Sequence, residues 1–386
     1  MHRGPTGRYE EQRVGEEAVR AFVPDPLPPD PPLDLAPLQG RLEAASLALG
    51  RLDGLSTVFQ DVRLFLYFYI RKEAVLSSQI EGTQSSLSDL LLFELQEAPG
   101  VPVDDVVEVS NYVAALEYGL EQLRQGFPLC NRLLREIHAR LLQSGRGSSQ
   151  DPGEFRRSQN WVGGSRPGNA AFVPPPPLQV PDCMADLERF LHDRSETMPV
   201  LIRTGLAHVQ FETIHPFLDG NGRAGRLLIT LLLWNDGVLR SPVLYLSLYL
   251  KQNRQRYYEL LDRVRTEGDW EAWLAFFLDG VAQTADQAVR SARRLTERFR
   301  EDRERVQAGG RKVGSALRVH RALTEHPLLS IGEASRRTGL SFPAASSGMG
   351  VLEDLGIARE ITGRNRNRLY AYREVLAILD EGTELS

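Results

Sequence analysis

Apolar residues return at three- and four-residue intervals in one segment after another from Leu38 to Gln307, a period that gathers them on one face of a helix and scatters them over both faces of a strand. LQGRLEAASLALGRL and DVRLFLYFYIRKEAVLSSQI open the series. VVEVSNYVAALEYGLEQL, NRLLREIHARLL, CMADLERFLHDR, PVLIRTGLAHVQFETI, RLLITLLLWNDG and RQRYYELLDRV follow, and a charged helix from Thr284 to Gln307 closes it. A mainly α fold is expected, and 386 residues exceed what one ordinary core organises.

The breaks in the pattern divide the chain. Residues 24–37, PDPLPPDPPLDLAP, carry too many prolines for a helix or a central strand and predict an extended arm over the surface. Glu81-Gly82 ends a helix, and Ser86 with Asp89 three residues on marks the start of a short one before LLLFEL. GEFRRSQNWVGGSRPGNAAFVPPPP, residues 153–177, places aromatic and β-branched residues around a Gly/Pro/Asn turn and predicts a small β-hairpin against the helical surface. The glycines of AGGRKVGSA mark a linker. Four parts result: an N-terminal arm and helical region over 1–105, a helical core over 106–282, a linker helix over 283–312 and a final domain over 313–386.

A formal net charge of −5 argues against a chain wrapped wholesale on nucleic acid or an anionic membrane. Cys130 and Cys183 lie far apart, without metal-ligand or redox spacing, and are expected as core residues. No stretch reaches the roughly 18 apolar residues of a membrane span, and the first residues lack a signal-peptide core, so the cytoplasm is the expected compartment.

Chemistry concentrates between the helix LIRTGLAHVQFETI and the helix beginning near Arg223. Gly220 and Gly222 permit a tight turn that presents consecutive N–H groups to an anion, and the next helix adds its positive end. Arg223 and Arg226 sit in the first turn of that helix, where a cation is unfavourable unless an anion joins it. Asp219 is a hard oxygen ligand suited to Mg2+ against phosphate oxygens. His215 supplies a base that works near neutral pH. By contrast His138 and His208, on apolar helices, are expected in or near the core.

His215 to Arg226, HPFLDGNGRAGR, resembles the HPFx(D/E)GNGRxxR signature of the Fic (filamentation induced by cAMP) family, with every defining position present. The likeness runs over about residues 60–280 and implies a Fic-type helical core. GEFRRSQNWVGG is similar to the family's flap, which holds a target peptide by strand pairing, so Trp161, Val162, Gly163 and Gly164 are candidate docking residues. LYLSLYLKQNRQRYYELL is similar to the adenine side of the pocket and offers Gln252, Asn253 and Tyr257, although it also reads as an ordinary amphipathic helix.

The resemblance implies a protein adenylyltransferase with ATP as co-substrate and Mg2+ as cofactor. His215 would deprotonate a Ser, Thr or Tyr hydroxyl of a target protein, or of the chain itself, for attack on the α-phosphorus. Asp219 would hold the metal. Gly220, Asn221 and Gly222 would form the anion hole, Arg223 would meet the β-phosphate and Arg226 the γ-phosphate, with Ala224 and Gly225 between them in the nucleotide-binding turn. Ser77-Ser78-Gln79-Ile80-Glu81-Gly82 matches the family's inhibitory (S/T)xxxE(G/N), in which the glutamate pairs with the second arginine. Ser77 and Glu81 are therefore expected to form a brake on Arg226.

Residues 313–386 read as helix, helix-turn-helix and β-wing, and resemble a winged-helix domain with Phe342 to Leu355 as recognition helix and Arg364, Arg366 and Arg368 in the wing. Residues 311–386 hold eleven basic and nine acidic residues, mild for a DNA binder, and the candidate recognition helix has no Lys or Arg. DNA binding and a dimerisation or docking module both stay open. Two readings of the whole remain beside adenylyl transfer: a nucleotide-sensing DNA-binding regulator, and a related enzyme that moves another phosphate-linked group or removes AMP.

Overall fold

The protein is described by a computed structural model over residues 3–58, 62–95, 102–193, 198–309, 313–364 and 366–383, the side chains of 56–66 excepted. It is mainly helical, with two small antiparallel sheets.

Two antiparallel helices form the centre. In α7, Val200–Ile214, every residue from Leu201 onward is buried, and α8, Asn221–Asn235, is buried on most of its circumference. A helix enclosed on all sides needs other helices around it. They are α4, Val103–Arg124, α5, Asn131–Leu141, and α6, Val180–His192, with α9, Ser247–Gln252, and α10, Arg254–Glu267, at one end. Gly205 of α7 leaves room for Leu274, which a Cβ would meet at 2.9 Å, and its carbonyl accepts the Trp273 indole N–H at 2.9 Å.

The charged helix is longer than its sequence suggests. It is the C-terminal part of α11, Trp270–Gln307, which starts at the Asp269 side-chain cap and crosses the expected boundary at 282/283 unbroken. No glycine or proline stands at that boundary, and buried Thr284, Ala285, Ala288, Ala292 and Leu295 continue the packed stripe. Along it lies α1, Gln39–Val58, tied by Arg41 to Asp279 and Arg51 to Asp286. Next comes α2, Val62–Ile80, which ends as expected at Glu81-Gly82. In α3, Leu87–Glu94, Ser86 and Asp89 form the expected reciprocal cap.

The first residues form a hairpin that the sequence reading missed, β1, Gly7–Val14, paired with β2, Glu17–Pro24. Only β2 shows an inward face, with Val19, Ala21 and Val23 buried, while β1 is largely polar and hides the alternation. The proline arm then runs over the surface to α1, held where Arg3 donates to the Pro31 and Pro32 carbonyls and pairs with Glu271 at 2.6 Å.

The expected flap hairpin is smaller than predicted. Residues 153–177 make one antiparallel bridge, Val162 with Phe172, because Gly163 and Gly164 turn left-handed and a short turn from Pro167 to Asn169 follows. The flap instead leans on the N-terminal hairpin. Phe22 donates its N–H to Val173, Trp161 packs with Val19 and Ala21, and Glu17 accepts from Arg166 and the Gly168 N–H.

The C-terminal residues form α12, Val313–Glu325, β3, Leu328–Ser330, α13, Ile331–Thr338, and α14, Phe342–Asp354. β4, Arg359–Glu360, β5, Leu369–Ala371, and α15, Arg373–Asp380, complete them, with the sheet ordered β3-β5-β4. Buried Asp302 of α11 bolts this unit down by accepting from the Tyr372 hydroxyl at 2.6 Å and pairing with Arg298 and Arg305. Beyond α15 the chain returns to α2, where Lys72 donates to the Glu381 carbonyl at 2.6 Å and Gln79 to that of Thr383 at 2.8 Å.

Candidate active site

The turn between α7 and α8 begins at a strained residue. His215 caps α7 in the left-handed region, φ 50° and ψ 60°, which a non-glycine residue adopts only at a cost. Arg156 and Asn160 hold it there. Arg156, 2% exposed, donates to the His215 carbonyl at 2.9 Å and to Pro175 at 2.6 Å, while its own N–H reaches Pro216. Asn160 donates to the Phe217 carbonyl at 2.8 Å. The start of the flap thus shapes the turn, a role that no feature of the sequence signals.

The imidazole is oriented by its own helix. Nδ1 lies 3.3 Å from the Glu212 carbonyl, which can only accept, so Nδ1 carries the proton and Nε2 presents a lone pair. Burial, with Arg156 nearby, pushes its pKa down to about 4, so the ring is neutral at pH 7.

Two side chains build the turn from behind. Asn221 accepts from the Phe217 N–H and donates to the Phe217 carbonyl, both at 2.8 Å, so its amide closes the loop with its oxygen and one of its two N–H groups. The second N–H of its amide and its backbone N–H, at the start of α8, are the donors left for an anion. His138 is stacked on Phe217 at 3.7 Å, accepts from the Gly153 N–H at Nδ1 and donates from Nε2 to the Asp219 carbonyl at 2.9 Å. Expected only as a core residue, it fixes the backbone that carries Asp219. His138→Ala is expected to lower stability by about 2–4 kcal/mol, through lost packing and two stranded polar groups, read as a lower urea midpoint.

Each glycine here admits a carboxylate or a turn. Gly220 is left-handed at φ +73°, and a Cβ on Gly222 would meet Glu81 Oε1 at 2.3 Å. A Cβ on Gly225, next to Ala224, would meet Glu212 Oε1 at 2.3 Å. Glu212 is buried, and that burial pushes its pKa up to about 7.

The arginines converge at the start of α8, both almost fully buried. Arg226 donates to Glu81 Oε1 at 2.6 Å, to the Ser77 hydroxyl at 2.7 Å and to the Ser77 carbonyl at 3.0 Å, bringing together the three residues that the sequence reading linked. Arg223 pairs with Glu108 of α4 at 2.8 Å, a partner outside the motif and absent from the sequence reading. The Asp219 side chain is 39% exposed and stands 3.8 Å from Arg223. One accessible carboxylate at a glycine turn beside two buried guanidiniums fits Mg2+, which binds through one or two carboxylates and completes its shell with other oxygens.

The expected nucleoside contacts fare unevenly. Gln252 is exposed, and Asn253 donates to the Tyr249 carbonyl at 2.9 Å. Tyr257 is 1% exposed, with its hydroxyl 2.8 Å from His208 Nε2 and its ring against Trp273, so it belongs to the core and the reading of it as a nucleoside contact is corrected. Its neighbour Tyr258 is half-buried; burial raises the pKa of both tyrosines, and the surroundings of both include Glu81 and Arg226. In the flap, Gly163 and Gly164 are exposed while Trp161 and Val162 are half-buried.

A neutral histidine, a glycine turn at a helix start and two buried guanidiniums share one helical hairpin at the centre of this helical protein. Residues 39–121 match the Fic/DOC family N-terminal model and residues 128–233 the Fic/DOC family model. The chain belongs to the Fic/DOC family. It is similar to the protein adenylyltransferase Fic of Drosophila yakuba, 33% identical over 210 residues, which are 54% of this chain and 39% of that protein. The match thus spans about two fifths of the length of that relative. In fold it is similar to a Fic family protein from Desulfovibrio desulfuricans G20, with TM-score 0.55 and 20% identity over 86% of this chain and 95% of that one. A Fic-1 fragment from C. elegans has TM-score 0.51 and 22% identity, over 67% and 72% of the two chains. Among the described residues no helix is long and apolar enough to cross a membrane.

Proposed function

We propose that the protein transfers AMP from ATP to a hydroxyl of a target protein or of itself, and that Glu81 restrains the transfer. The observation that carries this reading is the convergence of Arg223 and Arg226, two buried cations, on a glycine turn beside a histidine whose free nitrogen faces no proton of its own.

His215 Nε2 takes the proton of a Ser, Thr or Tyr hydroxyl, and the oxygen forms a bond to the α-phosphorus while the bond to the β-phosphate oxygen breaks and pyrophosphate leaves. The opening N–H groups of α8 hold the negative oxygens, Arg223 the β-phosphate and Arg226 the γ-phosphate. Mg2+ on Asp219 would neutralise phosphate charge. The flap presents the target segment beside His215, and Tyr258 lies on the nucleoside side. In the resting arrangement Glu81 occupies the place on Arg226 that the γ-phosphate requires. The relatives named protein adenylyltransferase support the same reading. The C-terminal unit is read as a docking or regulatory module, since α14 offers neither Lys nor Arg to a DNA base.

Intact-mass measurement of the chain after incubation with ATP and Mg2+ tests the proposal: an adduct of one AMP supports it, and an adduct of one phosphate points to another group transfer. The pH profile is a second test. Because the base must be neutral and its pKa is pushed down to about 4, activity should stay on a plateau below pH 6.5 and fall only as pH approaches 4. An acid limb centred near the ordinary histidine value of about 6.5 would contradict the assignment.

A further inference from the structure

Both arginines of the cradle are neutralised by carboxylates from outside it, and the two carboxylates differ in freedom. The Glu81 side chain is 31% exposed and follows the last turn of α2, next to Gly82 at φ +100°. It is the more exposed of the two carboxylates. The Glu108 side chain is 2% exposed on α4, with Oε1 2.8 Å from Arg223 Nη1 and Oε2 3.1 Å from Arg146 Nη2. Residues before and after it, Val106, Val109 and Asn111, are buried, so α4 cannot turn it away without opening the core.

Arg223 itself is 1% exposed, yet neither its Nε nor its Nη1 makes a directed hydrogen bond within the protein. The ion pair with Glu108 is a matter of distance and charge, and it leaves two buried donors for another acceptor. Such donors are costly to bury unless a ligand completes them.

We infer that Glu108 is a fixed positioning residue for Arg223, holding its guanidinium from behind so that the free donors meet the β-phosphate, whereas Glu81 is a removable competitor for Arg226. This rests on the nucleotide reading given above. Glu108 touches neither nucleotide nor target; it acts through Arg223. Its loss should therefore be felt by ligands that own a β-phosphate and not by those that lack one.

The test compares ATP, ADP and AMP by titration calorimetry on the full chain carrying Glu81→Gly, so that the brake does not obscure affinity. Adding Glu108→Gln should weaken ATP and ADP to the same extent, roughly ten- to a hundredfold, the worth of a hydrogen bond to a charged group, and leave AMP unchanged. On an Arg223→Gln background the same substitution should weaken ATP no further, because the two residues act as one unit. Should Glu108→Gln melt before it can be titrated, Glu108→Asp keeps the charge but shortens the reach and should show the same ATP and ADP selectivity. Equal loss for all three nucleotides, unchanged ATP affinity, or additive losses with Arg223→Gln would overturn the inference. Failure of the Glu81→Gly parent to bind ATP and ADP would instead bring down the nucleotide reading beneath it.

Discussion

Glu81→Gly is expected to raise AMP incorporation, by roughly 5- to 150-fold if the brake carries the usual coupling energy between two competing ligands. The argument starts from Arg226, a fully buried cation whose ionisation burial opposes and Glu81 restores, so that its pKa ends above the ordinary value. Burial likewise works against the Glu81 carboxylate, and Arg226 with Arg223 nevertheless holds its pKa below the usual glutamate value. The two are thus ionised together at 2.6 Å, and a γ-phosphate can have Arg226 only by displacing Glu81. Glycine removes the competitor, and the Ser77 contacts still hold the guanidinium in place. Rates of AMP incorporation for the two proteins, measured at saturating ATP, check this. Equal rates would show that the contact is structural and no brake.

The second large effect is at His215. Its removal should cost about 10² to 10⁴ in rate, the usual share of a positioned general base. The choice of substitute matters because the residue sits at φ 50°, a conformation that asparagine tolerates better than alanine. His215→Asn therefore separates lost chemistry from lost structure: activity should fall while ATP affinity and the melting temperature hold. A matching fall in ATP affinity would show instead that the turn had collapsed.

Much of this site is legible in the sequence because its parts are contiguous. HPFLDGNGRAGR carries the proposed base and metal ligand, the turn and the cations within twelve residues, and Ser77 and Glu81 stand one helical turn apart. Helix periods and the Ser86 cap are equally local. What stays hidden depends on long-range packing. Glu108 looks like any polar residue of an amphipathic helix until α4 is laid against α8. Arg156 and His138 gain their roles from backbone carbonyls 59 and 81 residues away. Tyr257 and Tyr258 cannot be told apart by composition, because which of them faces the core is decided by where α10 meets Trp273. Asn221 carries the right chemistry for an anion hole, and only the fold shows that its amide oxygen and one of its N–H groups also close the loop. The N-terminal hairpin escapes notice because only one of its strands has an apolar face.

The central claim is that the α-phosphorus of ATP lies beside His215 and is the atom transferred. It is tested most directly by incubating the Glu81→Gly protein with Mg2+ and either α-labelled or γ-labelled ATP, with His215→Asn in the same background as control. Label retained on protein from the α position alone, and lost in the His215→Asn control, is the predicted result; label from the γ position, or α label that persists without His215, would contradict the account.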